Sequence, residues 1–201
     1  MPWSAPLVVT TLASAAALGV ASTASAAEPA TDRAGLLLEY RLDGDLQDSS
    51  GAGLHGRAVG APAFVAGHEG QCLSFPGDGP YLEAPTNLAT LRDSFTVECW
   101  VKPAATQRPY ADILGNQHHS FSGFAIQQDG SQMNHYYVTF GTGTAWIYSR
   151  TVELRADVWQ HLAAVKTPGR LRVYIDGMLA DSRAVEGDMA SGDKFFADRS
   201  E

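Results

Sequence analysis

The sequence predicts an all-β sandwich or barrel, and three observations carry that prediction. Short runs with alternating or β-branched character recur along the chain, each bounded by Gly, Pro or Asp clusters. Val158 to Val185 spells a three-strand antiparallel meander, with Pro168-Gly169 suited to a type II turn and Asp176-Gly177 to a type I′ hairpin. Helical periodicity is weak throughout, and Leu88 to Arg92 has room for one turn of helix at most.

The elements follow in order. Leu36 to Leu42 reads as the first strand, and Asp43 to Gly56 as a loop whose Asp and Ser oxygens favour Asx turns. Val59 to Val65 is a weak strand broken by Pro62. Gln71 to Phe75 and Tyr81 to Glu83 flank a turn cluster, Pro76 to Pro80. Ser94 to Lys102 is the clearest strand: Phe95, Val97, Cys99 and Val101 share one side, the expected core side, and Trp100 stands on the other. Ala111–Leu114, Gly123–Gln127, Tyr136–Phe140 and Ala145–Ser149 follow at regular spacing, and then the meander. Leu171, Val173 and Ile175 point to one side of its middle strand.

A length of 201 residues suits one domain. The first 26 residues carry no charged side chain, and an apolar run from Leu7 to Val20 leads to Ala24-Ser25-Ala26. That is the pattern of a secretory signal peptide, 1–26, followed by a polar linker, 27–34. A membrane anchor requires about 20 strongly apolar residues, and this run is shorter and diluted by Ser and Thr. A net charge of −8 repels phosphate backbones and excludes nucleic acid as the expected partner. Export permits a disulfide between Cys72 and Cys99. Cys72 lies on the opposite parity from Leu73 and Phe75, so two buried thiols are the other reading.

Four pieces in order, EYRLDGDLQDSSGAGLHG, GQCLSFPGDGPYLEAP, SFTVECWVKP and WQHLAAVKTPGRLRVYIDGMLADS, carry a family resemblance. Together they resemble a laminin-G-like domain of the concanavalin A-like lectin/glucanase superfamily. The resemblance implies a jelly-roll sandwich of two antiparallel sheets over 35–185, secreted, in a binding module of the kind joined to glycoside hydrolases, sulfatases or adhesins. It also implies a structural Ca²⁺ in some members. One departure stands out: Glu186 to Glu201 does not spell the Gly-Ile/Leu-Asp-Glu-Val-like strand with which such domains end, and only Phe195-Phe196 is apolar there. The tail, 186–201, therefore reads as altered or truncated, leaving one sheet with an unpaired edge.

Catalytic patterns are missing from the sequence. A glucanase of this superfamily needs carboxylates clustered on one strand, as nucleophile and general acid about 5 Å apart. No E-x-D-x-E run occurs, and there is no G-x-S-x-G and no H-E-x-x-H. His161 reads as a structural histidine, and Gly141 to Thr144 as a turn without the Lys of a phosphate loop. Asp43, Asp45 and Asp48 offer hard oxygen donors for Ca²⁺, although Leu54 stands where an EF-hand would carry Glu. Asx hydrogen bonding within the turn is the other reading of these three.

Sugars bind to aromatic faces flanked by amides. The principal candidates are Tyr136, Trp146, Tyr148, Asn116, Gln117 and His118, with Tyr110, His119, Gln127, Asn134 and Tyr137 beside them. Trp146 and Tyr148 share a strand face that turns outward if Ala145 and Ile147 turn inward. Trp100 and Trp159 are expected in the core. The functional expectation is a secreted, non-catalytic carbohydrate-binding module taking a glycan. An extracellular protein-interaction or adhesion module, or the detached binding domain of a secreted glycoside hydrolase, is the alternative.

Overall fold

The computed structural model describes residues 6–11, 35–75 and 79–197. The proposed linker, most of the proposed leader, Pro76 to Asp78 of the turn cluster and the last four residues lie outside the described residues. The strands are β1 (Pro6–Thr11), β2 (Leu38–Tyr40), β3 (Arg57–Val59), β4 (Ala63–Ala66), β5 (Gln71–Ser74), β6 (Tyr81–Glu83), β7 (Phe95–Val101) and β8 (Asp112–Gly115). They continue with β9 (Phe124–Gln128), β10 (His135–Gly141), β11 (Trp146–Tyr148), β12 (Val152–Glu153), β13 (Gln160–Thr167), β14 (Arg170–Ile175), β15 (Met178–Ala184) and β16 (Phe196–Ala197). No helix occurs among the described residues.

Two antiparallel sheets form. The first runs β15-β14-β13-β7-β1-β5-β4, with β2 also paired to β1; the second runs β11-β10-β9-β8-β16-β6-β3, with β12 also paired to β10. The expected all-β sandwich is present. Its meander is β13-β14-β15, and its hairpin turn places Asp176 and Gly177 at φ 51° and 76°, the left-handed pair that a type I′ turn requires.

The core lies between the sheets. Leu38, Tyr40, Leu73, Val97, Cys99, Leu162 and Val173 from the first meet Leu114, Phe124, Ile126, Val138, Phe140 and Phe195 from the second or its flanks. Each large apolar side chain buried this way contributes roughly 1.5–3 kcal/mol before conformational entropy is subtracted. β7 alternates as expected, with Phe95, Val97, Cys99 and Val101 buried and Thr96, Glu98 and Trp100 half-buried.

Four differences from the sequence reading have physical causes. Val59 to Val65 is not one strand: β3 belongs to the second sheet and β4 to the first, because Pro62 and Gly60 (φ 72°) turn the chain across the sandwich. Cys72 and Cys99 are both free. β1 lies between their strands, and Cys99 faces the core while its parity puts Cys72 on the other side of the sheet. Two inter-strand spacings, about 9.6 Å, exceed what a bridge spans, even on one face.

The tail, expected to lack its closing strand, contributes a short strand to the second sheet. Phe196 and Ala197 pair with Gly115 and Leu114 on one side and with Glu83 and Leu82 on the other. Phe195 is fully buried, so the sandwich extends past Val185 and this part of the second sheet is closed. Finally, Pro6–Thr11, expected within the leader, forms a strand between β7 and β5; its β-branched residues favour extended backbone. Among the described residues no helix is long and apolar enough to cross a membrane.

Candidate functional site

The outer face of the second sheet follows from the register of β8 to β11. Tyr136, Val138 and Phe140 of β10 are in the core, so Tyr137 and Thr139 face outward. Tyr137 pairs with Gln127, which pairs with Asp112. Thr139 pairs with Ala125 on one side and with Tyr148 on the other, and Ala125 pairs with Gly115. Gly141 pairs with Trp146. Ile147 packs against the core, which leaves Trp146 and Tyr148 on the outer face.

Three rows result. Asp112, Gln127 and Tyr137 form a polar row. Gly115, Ala125 and Thr139 form a low floor that ends at Tyr148. Gly141 lies beside Trp146, and a Cβ there would come within 2.0 Å of the Phe121 backbone. Only glycine lets the 118–122 turn approach so closely. That turn closes with His118 N–H donating to Ser122 O at 2.9 Å, and it brings Phe121 to 6.1 Å from the Trp146 ring.

The rows enclose an open cleft of about 230 Å³ lined by Gln117, His118, His119, Gln127, Tyr137, Thr139, Trp146 and Tyr148. Tyr137 and Tyr148 meet edge to face at 5.6 Å. The Tyr137 hydroxyl donates to Gln127 Oε1, and Gln127 Nε2 donates to Tyr110 O at 3.3 Å. Gln117 Nε2 donates to Asp112 Oδ2 at 3.1 Å. Burial, and secondarily Tyr148, Asp112, Asp129 and Tyr110, push the Tyr137 phenol up to about 12. It therefore stays protonated near neutrality.

Two principal candidates are elsewhere. Tyr136 is buried in the core, where its hydroxyl donates to Gln107 Oε1. Asn116 is fully buried: its Nδ2 donates to Asn87 O at 2.6 Å and its Oδ1 accepts from Phe124 N–H at 2.9 Å. Neither can present a surface to a ligand. Gln117, His118, Trp146 and Tyr148 come together, joined by Tyr137, Gln127 and His119 from the wider set and by Thr139 and Asp112. A signal for the β10 choice was present: Tyr136-Val138-Phe140 is the more apolar parity, so Tyr137 is the outward tyrosine.

The three aspartates do not fit a common calcium site. Asp48 accepts from Glu39 N–H (3.2 Å), Ser50 N–H (2.8 Å), Ser50 Oγ (2.8 Å) and Leu54 N–H (3.0 Å). Asp45 accepts from Gln47 N–H at 3.0 Å, and Asp43 from Gln71 N–H at 2.8 Å. Asp45 and Asp48 close local turns, whereas Asp43 ties its loop to the start of β5. Among the described residues no three His, Cys, Asp or Glu side chains gather as a metal site would need.

The outer face of the first sheet holds a second cleft, about 420 Å³, lined by Glu39, Arg41, Asp43, His68, Glu69, Gly70 and Trp100. Trp100, expected in the core, is half-buried here with His68 stacked on it at 3.8 Å and 17°. Beside it, His161 Nε2 lies 3.7 Å from Glu98 Oε2. Burial raises the Glu98 carboxyl and lowers the His161 imidazole, favouring the neutral form of each.

A family profile described as concanavalin A-like lectin/glucanases superfamily, Laminin_G_3, matches residues 76–198, more than half of the chain. The chain belongs to this superfamily. The match extends through Phe195 and Phe196, in agreement with their place in the sandwich. A search among curated proteins finds no match. Among solved structures the chain is similar to domain 4 of AbnA, a GH43 extracellular arabinanase from Geobacillus stearothermophilus, in complex with arabinotriose. Identity is 21%, with 77% of this chain and 78% of that one covered and a TM-score of 0.64. The binding domain of botulinum neurotoxin DC, in complex with SialylT, is similar at 16% identity over 75% of this chain, with a TM-score of 0.60. This chain spans 39% of that domain. At these identities the likeness concerns the superfamily's sandwich alone.

Proposed function

We propose that this protein is a secreted carbohydrate-binding module that takes a neutral oligosaccharide across the outer face of the second sheet. The observation that carries the reading is the cleft over Ala125 and Thr139. Its rim supplies aromatic faces from Tyr148, Tyr137 and Trp146 and hydrogen-bonding groups from Gln127, Gln117, His118 and His119. Sugar rings present C–H patches and hydroxyls together, and this lining matches both. The open shape suits a chain lying across the sheet, with several weak contacts sharing the energy. The superfamily assignment and the arabinotriose bound to the arabinanase domain support the reading.

The role is binding without hydrolysis. Among the described residues, those lining the cleft include no carboxylate, and Asp112 beside it is buried and already engaged by Gln117, whereas glycoside hydrolysis uses two carboxylates. An apolar leader ending in Ala-Ser-Ala supports export. A second reading, binding of an extracellular protein, has its own observation: Met178 and Leu179 at the β14–β15 hairpin are 75% and 56% exposed.

The test is calorimetry of the purified chain with linear neutral oligosaccharides, arabino-oligosaccharides among them, alongside a glycan array. Saturable binding that Tyr148→Ala weakens supports the reading. Silence across the array, or binding unaffected by Tyr148→Ala and Gln127→Ala, removes it.

A further inference from the structure

Pro6–Thr11 sits inside the first sheet, away from its rim. On one side it pairs with β7, Leu7 with Val101, Val8 with Trp100, Val9 with Cys99 and Thr10 with Glu98. The other side is shared: Pro6 and Leu7 pair with Ser74 and Leu73 of β5, and Val9, Thr10 and Thr11 with Tyr40, Glu39 and Leu38 of β2. β7 is not paired directly with β5 or β2. Strands stack about 4.8 Å apart, so without β1 a slot one strand wide would separate the sheet's two parts.

The walls of that slot are core residues. Leu38, Tyr40, Leu73, Val97, Cys99 and Val101 are each 2% exposed or less. An empty slot would open them to water and leave β7 with a row of unpaired peptide groups. Yet Pro6–Thr11 itself lies upstream of Ala24-Ser25-Ala26, where the sequence carries an export-cleavage pattern. Cleavage there would cut the connection between strand and domain, at a point outside the strand itself.

We propose that the slot between β7 and the β5/β2 pair is a strand-acceptor site, and that Pro6–Thr11 is its exchangeable occupant. The ligand class is an extended, apolar, β-branched peptide bound antiparallel to its neighbours on both sides. Main-chain hydrogen bonds hold such a peptide, as in other cases of strand addition. Covalent continuity with the domain is not required. This inference concerns the first sheet and does not rest on the sugar-binding reading.

The experiment uses the full chain with residues 24–26 replaced by a specific protease site. The folded protein is cut and passed over a sizing column, and a fluorescein-labelled Pro6–Thr11 peptide is then added. The expected result is that the segment co-elutes with the domain after cutting, that labelled peptide replaces it over time, and that unlabelled peptide competes. A peptide with proline in place of Val9 should bind at least tenfold more weakly, because proline removes a ladder donor. The proposal is overturned if the segment leaves on cutting while the melting temperature stays unchanged and labelled peptide fails to bind. It is equally overturned if the uncut chain is a dimer exchanging this segment between copies. Hydrogen exchange on the uncut chain gives an independent readout: β7 amides exchanging as fast as those of the β15 edge would also sink it.

Discussion

The Tyr137 hydroxyl donates to Gln127 Oε1 across the β9–β10 pair, and Gln127 Nε2 in turn donates to the Tyr110 carbonyl at 3.3 Å. The amide of Gln127 is thereby held by a partner at each end, and its orientation is set before any ligand arrives. Preorganisation of this kind reduces the ordering cost of binding.

Tyr148→Ala removes the most exposed aromatic wall and should weaken oligosaccharide binding about tenfold, ~1.4 kcal/mol. Tyr137→Phe keeps the ring and frees Gln127; its expected loss is smaller, about 0.5–1.5 kcal/mol, the net worth of one hydrogen bond. Calorimetry on both variants checks the ranking. Because burial pushes the Tyr137 phenol up to about 12, its ionisation should leave affinity unchanged between pH 6 and pH 9.

Asp48 closes the 48–54 loop through four donors on three residues. Burial opposes its ionisation, but the bonds from Ser50, Leu54 and Glu39 prevail and hold its carboxyl below the ordinary value. The sign follows from that direction. Its stabilising effect is complete above the unfolded carboxyl's pKa, about 3.9, and is lost as pH falls through the lower folded value. Asp48→Asn should cost about 2–3 kcal/mol at pH 7, as expected for charge-assisted bonds, and less at pH 2. Urea unfolding at both pH values measures the difference, and an equal cost at both would refute the assignment.

Much of this architecture was legible because period-2 patterns and Gly/Pro turns are local signals. The 158–185 meander is the clearest case, since Asp176-Gly177 permits few other conformations. Tyr136 and Tyr137 show the limit. Both are tyrosines on one strand, and only the company of Val138 and Phe140 indicates which faces in. Asn116 shows another limit: its place depends on Asn87 and Phe124, brought near by the fold and not by sequence spacing. Thr139 and Asp112 were missed because a floor residue and a bulge residue have no composition of their own. The leader concealed β1 for a different reason, since an apolar β-branched run satisfies both descriptions.

Lys166 is a further case that alternation misplaces, because it shares the core parity of Leu162 and Ala164. It is 1% exposed, donates from Nζ to Asp93 O at 3.1 Å and lies 5.2 Å from the Phe140 ring centroid. Burial lowers its pKa, and Asp188 and Asp93 only partly oppose that. The fold therefore disfavours the ammonium form. That penalty is present at low and neutral pH and disappears as pH rises from the folded value to the unfolded one, about 10.4. Lys166→Met removes the titration, so the stability of wild type relative to the variant should rise between pH 7 and pH 10. A flat difference between the two urea profiles would contradict this.

Cys72 and Cys99 should remain thiols in air. Cys72 Sγ lies 3.6 Å and 3.5 Å from the carbonyls of Val65 and Ala66, and burial pushes its thiol up to about 11. Burial raises Cys99 as well, with Glu98 adding to the effect. Little thiolate exists at neutral pH, and thiolate is the reactive form. Intact mass after alkylation in denaturant should show two modified cysteines, and alkylation without denaturant should show neither within minutes. β1 bears on this result, because Cys99 pairs with Val9. If Pro6–Thr11 leaves its slot, Cys99 should become the faster of the two to react, while Cys72, held by β4, should change less. Alkylation rates before and after cutting the chain at residues 24–26 would therefore report strand occupancy directly, and equal acceleration at both cysteines would indicate general unfolding instead.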